Sequence, residues 1–370
     1  MSVQQSLPPG CEPNCHGCRH RALGEAASLA QKASYLARVL APWSDRIAPI
    51  VGPVAESRLD YRDRVTLTAR WSPEDGWRFG LMRRDELIAI HDCPVHSARV
   101  RGLVHRLVRL LPAGDALPLA YLHVCGAQAT LIVKAHRTPA GALQPLLDEL
   151  PRSGLEALWL HHHPAAGRRL FARRGWQLLW GEPRSLDAHG LQHGPTAFAQ
   201  ALPTLHRQAM HAARQHLRPD PGGVVLDLYC GFGASLREWT DAGSAALGVE
   251  LSGEAIELAA LNAPRAIVLR GTCAQRLPQV RSWWREQGGM GVAYVNPPRS
   301  GLEPEVTRAL AGELRPARIA YLSCSAGTLA RDLAMLESAG YAVARIHPYD
   351  FFPLTHHVEA LALLAFTAFN

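Results

Sequence analysis

The feature that most limits how this chain can fold is a regular alternation beginning near residue 190. The apolar run GGVVLDLYCG is followed by ASLREWTDAG, AALGVELS by GEAIELAALNAPR, and AIVLRGT by RSWWREQG. GVAYVNPP is then followed by EPEVTRALAGEL, and ARIAYLSCS by GTLARDLAMLESAG, before YAVARIHPY and EALALLAFTAF close the series. The first member of each pair is short and apolar on both faces, whereas the second spaces its apolar residues as a helix does. Strands buried on both faces and joined through crossover helices make a doubly wound parallel sheet. Residues 191–370 therefore read as one Rossmann-like α/β domain.

The preceding residues have a different texture. HRALGEAASLAQKASYLARVLA (20–41) has helical spacing, and RVTLTARW, WRFGLMR, ELIAIHD, LPLAYLHVC and ATLIVKAH read as short strands separated by turns. Stretches near 97–111 and 142–150 read as helical, giving a helical segment and a smaller α+β domain over 21–190. Residues 1–20, rich in Pro, Gly and Cys, read as a loop held by a metal. No apolar run reaches the ~18 residues needed to cross a membrane, and the N-terminus lacks the basic start and apolar core of a signal peptide. A cytoplasmic protein with no membrane association and no obligate protein partner is expected. The net charge is +7, and nearly all the cations are arginine, with Lys32 and Lys134 the only lysines. Arginine suits phosphate and base recognition, which points to nucleic acid, although a GC-rich genome would produce the same bias. Arg83, Arg84, Arg173 and Arg174 are candidate phosphate contacts. His161 to His163 read as a solvated or RNA-facing turn.

The carboxyl ends of the strands carry the chemistry, because open α/β sheets bind ligands there. In VVLDLYCGFGAS, Asp227 ends a strand, and Gly231 and Gly233 shape the turn after it. Glu250 ends the next strand, where a carboxylate can accept the hydroxyls of an adenosine ribose. An acid with Gly-x-Gly after one strand and an acid after the next is the pattern of S-adenosylmethionine enzymes. Further along lie VNPPRSGL, then Cys324 between a strand and a helix, then Glu359 opening the last strand. An Asn-Pro-Pro at a strand end suggests methylation of an exocyclic amine. Cys324 and Glu359 suggest another reaction: a thiolate adds to carbon 6 of uracil, carbon 5 takes the methyl group, and a base removes the proton there. A direct amine transfer needs neither residue.

DLYCGFG, NPPRSGL, SCSAGTLARDL and HHVEALALL, in this order, resemble the RNA uracil-5-methyltransferase family over the whole C-terminal domain. The resemblance implies that Cys324 is the nucleophile and Glu359 the base. It also implies that Gln200, in TAFAQALPTLHRQAM, serves the cofactor and base site, with Tyr229 and Asn296 beside it. The chain departs from the family pattern at Asn296, where Asp is usual, at Ser325 and Ala326 in place of Asn-Pro, at Thr272 in place of Asp, and at Leu202 in place of Asn. An amine methyltransferase of adenine or guanine and a non-catalytic RNA-binding relative remain the alternative readings.

Cys11, Cys15 and Cys18 offer three thiolates from one loop, and Cys93 offers a fourth. Their spacing alone allows zinc or an iron–sulfur centre. The resemblance favours a [4Fe–4S] cluster, since the bacterial rRNA members of the family carry such an N-terminal triplet with a distant Cys-Pro. The cluster and the absence of a β-barrel ahead of the cysteines imply a branch that acts on 23S rRNA, on a loop whose base can be splayed out cheaply.

Overall fold

The computed structural model describes residues 6–54, 58–138, 141–197, 200–219 and 221–367. Its elements begin with α1 (Glu25–Val39), β1 (Arg64–Ser72), β2 (Gly76–Arg83), β3 (Glu86–Ala89) and α2 (Ala98–Leu110). They continue with β4 (Leu119–Cys125), β5 (Gln128–Val133), α3 (Gln144–Leu147), β6 (Ala157–His162), β7 (Trp176–Gly181) and the two-residue strands β8 (Ser185–Leu186) and β9 (Gln192–His193). The C-terminal series is α4 (Pro203–Leu217), β10 (Val224–Leu228), α5 (Ala234–Asp241), β11 (Ala245–Glu250), α6 (Gly253–Asn262), β12 (Ile267–Arg270), α7 (Cys273–Glu286) and β13 (Val292–Val295). It closes with α8 (Pro304–Ala309), β14 (Arg318–Ser323), α9 (Ala326–Ser338), β15 (Tyr341–Tyr349) and β16 (Glu359–Phe366). Two compact units divide the chain: 23–53 with 202–370, and 3–22 with 54–201.

The C-terminal unit contains the expected doubly wound sheet, in the order β12-β11-β10-β13-β14-β16-β15. Neighbours from β12 through β14 run parallel, and β16 inserts antiparallel between β14 and β15. Val225, Leu226, Leu228, Val249, Ala293, Val295, Ile319 and Tyr321 are all within 1% of complete burial, as strands covered on both faces require. The last hairpin is long because EALALLAF can pair on both its edges.

This unit also takes in the helix over 20–41, which the sequence pattern alone groups with the smaller α+β domain. The apolar face of α1 contributes Leu36 and Leu40, followed by Trp43, to the core formed by the sheet and α7–α9. Lys32 is buried on the same face and pairs with Asp350 at 2.6 Å. Residues 47–51 then run beside β15, with Ala48 N–H donating to the Ile346 carbonyl and Val51 N–H to that of Pro348, so the outer edge of the sheet is covered. Helical periodicity states that α1 has an apolar face but not which core receives it.

In the other unit the sheet order is β3-β2-β1-β4-β5-β6-β7, antiparallel except for the β5–β6 pair. Val100, Leu103, Val104 and Leu107 of α2 are fully buried and pack in the core with Leu122, Val124 and Leu131 of the sheet. Ser97 caps α2 by accepting from the Val100 amide. The helix expected near 142–150 is reduced to the single turn α3 and a following 3₁₀ turn. Strands β6 and β7 have no counterpart among the strands expected from the sequence. The three histidines are not a solvated turn, because His161 is fully buried at the end of β6, where burial lowers its pKa to about 4.

Candidate active site

Strand β10 delivers its turn with the geometry that the glycines promise. Gly231 (φ +56°) has open space where a Cβ would stand, so it leaves a cradle above the strand end. Gly233 (φ +89°) lies so close to α6 that an added Cβ would be 2.8 Å from the Cα of Ala259. Glu250 closes the mouth of the turn: its carboxylate accepts from the Gly231 amide at 3.2 Å and from the Ser252 amide at 2.7 Å. The next residue, Leu251, is 63% exposed, an apolar surface beside that carboxylate which no sequence motif marks. Asp227 sits elsewhere than expected. Its carboxylate is completely buried behind the strand, accepts from Trp239 Nε1 at 2.9 Å, and has its pKa pushed up to about 7 by burial. It braces α5 against β10 from within the core.

Tyr229 takes a left-handed backbone conformation (φ +62°) at the tip of the strand. Its hydroxyl donates to Glu303 Oε2 at 3.4 Å, and the same oxygen accepts from the Ala274 amide at 3.2 Å. Glu303 therefore ties together the loops after β10, β12 and β13, a role absent from the sequence-based expectations. Its only signal is an acid directly after NPPRSGL. Thr272, which stands where the family has Asp, is the N-cap of α7 in a reciprocal capping box with Gln275. Leu202 is the buried N-cap residue of α4. Gln200 is half-buried in the last stretch of the other unit, and Phe198 and Ala199 of its motif lie outside the described residues.

The loop NPPRSGL is fastened to the first turns of α9. Asp332, fully buried, accepts from the Leu302 amide at 2.9 Å and from the Tyr321 hydroxyl at 2.7 Å. Arg331 donates to the carbonyls of Ser300 and Leu302, each at 3.1 Å, and Thr328 to that of Arg299 at 3.2 Å. Gly301 (φ +78°) has no room for a Cβ against Asp332 and Arg331. The TLARD of the family motif is thus the bracket that holds the NPPRSGL loop. Asn296 starts this loop, half-buried, with its amide donating to the Leu228 carbonyl at 3.2 Å.

Cys324 and Glu359 meet through strand register. The antiparallel β14–β16 ladder ends by pairing Ser323 with Ala360, so the next positions along it are Cys324 and Glu359. The half-buried Cys324 thiol is pushed up in pKa by burial and then by the Glu359 carboxylate, while Arg299 opposes both. Arg299, from the proline motif, is a third member of this group, and the motif alone does not single it out. Ser325 begins α9 without a side-chain cap. Instead the Ser323 hydroxyl accepts from the Ser325 amide at 3.2 Å and donates to its carbonyl at 3.0 Å, which holds the Cys324 turn in place of the usual Asn-Pro.

In the other unit, residues 10–18 lie against the turn that carries Cys93. Gly10 (φ +78°) touches it so closely that a Cβ would come within 2.4 Å of the Asp92 carbonyl oxygen. Burial raises the Cys18 thiol to about 12, with further upward pushes from Cys93, Cys15 and Cys11. Cys11 and Cys93 are raised in the same way, first by burial and then by neighbouring thiols, although the Val95 and His96 amides bond the Cys93 sulfur. The Gly17 amide donates to Cys15 Sγ at 3.4 Å. Among the described residues no three of His, Cys, Asp or Glu are gathered closely enough to hold a single metal ion. The Cys11, Cys18 and Cys93 thiols are thus each pushed up by neighbouring thiols.

Residues 192–366 match the family model described as tRNA (Uracil-5-)-methyltransferase. The chain is 30% identical to the 23S rRNA (uracil(1939)-C(5))-methyltransferase RlmD of Aromatoleum aromaticum, over 97% of this chain and 86% of that one. It belongs to the RNA uracil-5-methyltransferase family. S-adenosylmethionine is therefore the cofactor of its Rossmann-like domain. A Lactobacillus johnsonii protein described as an RNA methyltransferase is 34% identical over 57% of this chain, a match spanning about half (48%) of that relative's length. The fold is shared with the tRNA (uracil-54, C5)-methyltransferase of Pyrococcus abyssi, solved with S-adenosyl-L-homocysteine, at a TM-score of 0.72 and 22% identity over 96% of this chain and 87% of that one. No helix among the described residues is long and apolar enough to cross a membrane.

Proposed function

We propose that this protein methylates carbon 5 of a uridine in 23S rRNA, with Cys324 as nucleophile and Glu359 as base. The observation that supports the reading is the end of the β14–β16 ladder at Ser323 and Ala360, one residue from Cys324 and Glu359, together with the upward push of the Glu359 charge on the thiol. S-adenosylmethionine, when bound, supplies an electrophilic methyl group. Gly231, Gly233, Glu250 and Tyr229 would hold it at the turn after β10, with Asn296 beside the base, and the open space at Gly231 supports that fit. The Cys324 thiolate adds to carbon 6 of the uracil, and the electron pair released to the ring makes carbon 5 nucleophilic. Once carbon 5 carries the methyl group, Glu359 takes its proton and the ring electrons expel the thiolate. Arg299 favours the thiolate before addition. An amine transfer would leave this pair without a task.

The rRNA assignment rests on the Aromatoleum relative, whose match spans nearly the whole chain. We also propose a [4Fe–4S] cluster on Cys11, Cys15, Cys18 and Cys93. The Cys11, Cys18 and Cys93 thiols, driven up in pKa by burial and by neighbouring thiols, are stabilised as thiolates by nearby cationic charge, and a cubane spreads its ligands wider than one ion does. Amides bonded to the Cys15 and Cys93 sulfurs suit that role.

The test uses an RNA hairpin carrying 5-fluorouridine. Fluorine cannot leave as a proton, so the adduct should persist and appear as a band stable to denaturation, lost in Cys324→Ala. A native protein that transfers methyl groups to RNA without ever trapping this analogue would refute the mechanism. Nucleoside mass spectrometry of a deletion strain checks the substrate: 5-methyluridine should fall in rRNA, and loss from tRNA alone would refute the rRNA assignment.

A further inference from the structure

The connection between β6 and β7, residues 163–175, combines two features. First, its backbone is fixed by side chains. His161 Nε2 accepts from the Ala172 amide at 3.0 Å, Trp176 Nε1 donates to the Ala172 carbonyl at 2.8 Å, and His163 Nδ1 meets the Leu170 carbonyl at 3.2 Å. The Trp176 ring stacks on His161 at 4.1 Å and on Phe171 at 5.6 Å, so the loop is mounted on a stack of rings. At its end Gly175 (φ +88°) lies against the His162 carbonyl, where a Cβ would come within 2.2 Å.

Second, this fixed frame carries Arg168, Arg169, Arg173 and Arg174, all exposed. No carboxylate pairs with any of them among the described residues. Elsewhere on the same unit half-buried Arg78, Arg99 and Arg101 pair with Asp75, Asp63 and Asp60, and exposed Arg109 pairs with Glu149, whereas other exposed arginines such as Arg83 and Arg84 show no ion pair among the described residues; what sets this loop apart is four such arginines on one fixed frame. The segment GRRLFARRGW contains no acid at all. A merely solvated face needs neither the fixed backbone nor the exclusion of acids.

We infer that this loop is a phosphate grip: Arg168, Arg169, Arg173 and Arg174 hold the RNA backbone and set its register. The inference rests on the RNA-methylating reading above and adds where the polyanion is held. A preorganised frame lets guanidinium groups bind phosphate oxygens with little loss of chain entropy. Such contacts position RNA without reading its sequence.

The experiment measures binding of a fluorescein-labelled single-stranded RNA of mixed sequence by anisotropy, as a function of salt. Every phosphate that the protein no longer neutralises lowers the slope of log K against log salt by about 0.7 for single strands, so replacing all four arginines by Ala should reduce it by roughly 3. Raising salt from 50 to 200 mM should then weaken the native protein roughly 50-fold more than the variant. Retained S-adenosylhomocysteine binding and an unchanged circular dichroism spectrum show that the variant is folded. An unchanged slope in that folded variant overturns the grip and leaves the proposed reaction intact. So does an equal decrease per charge in Arg78→Ala/Arg99→Ala/Arg109→Ala, which would make the effect one of net charge alone. A native protein that binds no RNA at all overturns the reaction reading with it.

Discussion

Lys32→Met tests whether α1 belongs to the methyltransferase core. The Lys32 side chain is 0% exposed and that of Asp350 4%, with the ammonium 2.6 Å from one carboxylate oxygen and 3.4 Å from the Phe352 carbonyl. Met keeps the length and apolar stem of Lys, so little cavity forms. What remains is a buried carboxylate without its cation, which destabilises by about 3–5 kcal/mol. For a unit of this size, 1 kcal/mol moves the melting temperature by roughly 2–4 °C, so the variant should melt on the order of 10 °C lower. Scanning calorimetry with and without S-adenosylhomocysteine reads this, because the ligand raises only the transition of the unit that binds it. Lys32→Met/Asp350→Leu removes both charges and should recover most of the stability, since an apolar pair can replace a buried ion pair at little cost. Activity should fall as well, because Asp350 opens the loop that leads to Glu359. A single variant within about 1 kcal/mol of the native protein would refute the reasoning, for that is how a solvated surface pair behaves.

Gly233→Ala places a Cβ 2.8 Å from the Ala259 Cα at a positive φ, and calorimetric titration should find S-adenosylhomocysteine binding at least ~10-fold weaker. The Cys324 pKa lies above its usual value, by burial first and the Glu359 charge second, so thiolate-dependent adduct formation should rise with pH through and beyond the normal thiol range. Glu359→Gln removes the second cause and should speed iodoacetamide labelling of Cys324 several-fold at neutral pH while blocking turnover after the adduct; slower labelling would contradict it. Cys93→Ala should lose the brown colour and the iron and sulfide content, and full retention of both would remove Cys93 from the ligand set.

What the sequence discloses and withholds follows from the physics of each element. The C-terminal sheet is legible because strands such as VVLDL and GVAYV are apolar on both faces and alternate with helices. Cys324 and Glu359 are legible as types at strand ends, but their adjacency depends on β16 running antiparallel beside β14, and chain order does not state a register. Asp227 defies the expectation because an acid at a strand end points to either face with equal ease, and here Trp239 holds it inward. Strand β6 is hidden by its own histidines: ALWLHH looks polar at its end, yet His161 stays neutral and buried against Trp176. Lys32 is invisible for the opposite reason, since a lysine on a helix is solvated unless an acid distant in the chain comes to meet it.

Asn296 is the departure from family pattern whose effect can be separated from folding. The shape of the loop it begins is set by Asp332, Arg331 and Thr328, which bond the backbone of residues 299–302, and by the Asn296 amide itself. None of these bonds uses the Asn296 side chain, so Asn296→Asp should leave the melting temperature within about 1 °C. The side chain differs from Asp in two respects: it carries no charge, and its amide both donates and accepts, whereas a carboxylate only accepts. A uracil N3–H needs an acceptor, which either residue offers, but Asp would repel the carbonyl edge that an Asn NH₂ could meet. Asn296→Asp should therefore change kcat/KM on a uridine hairpin several-fold, with the adduct to 5-fluorouridine still forming through Cys324. A large fall in melting temperature would show that the side chain builds the loop, and unchanged kinetics would show that residue 296 does not contact the base.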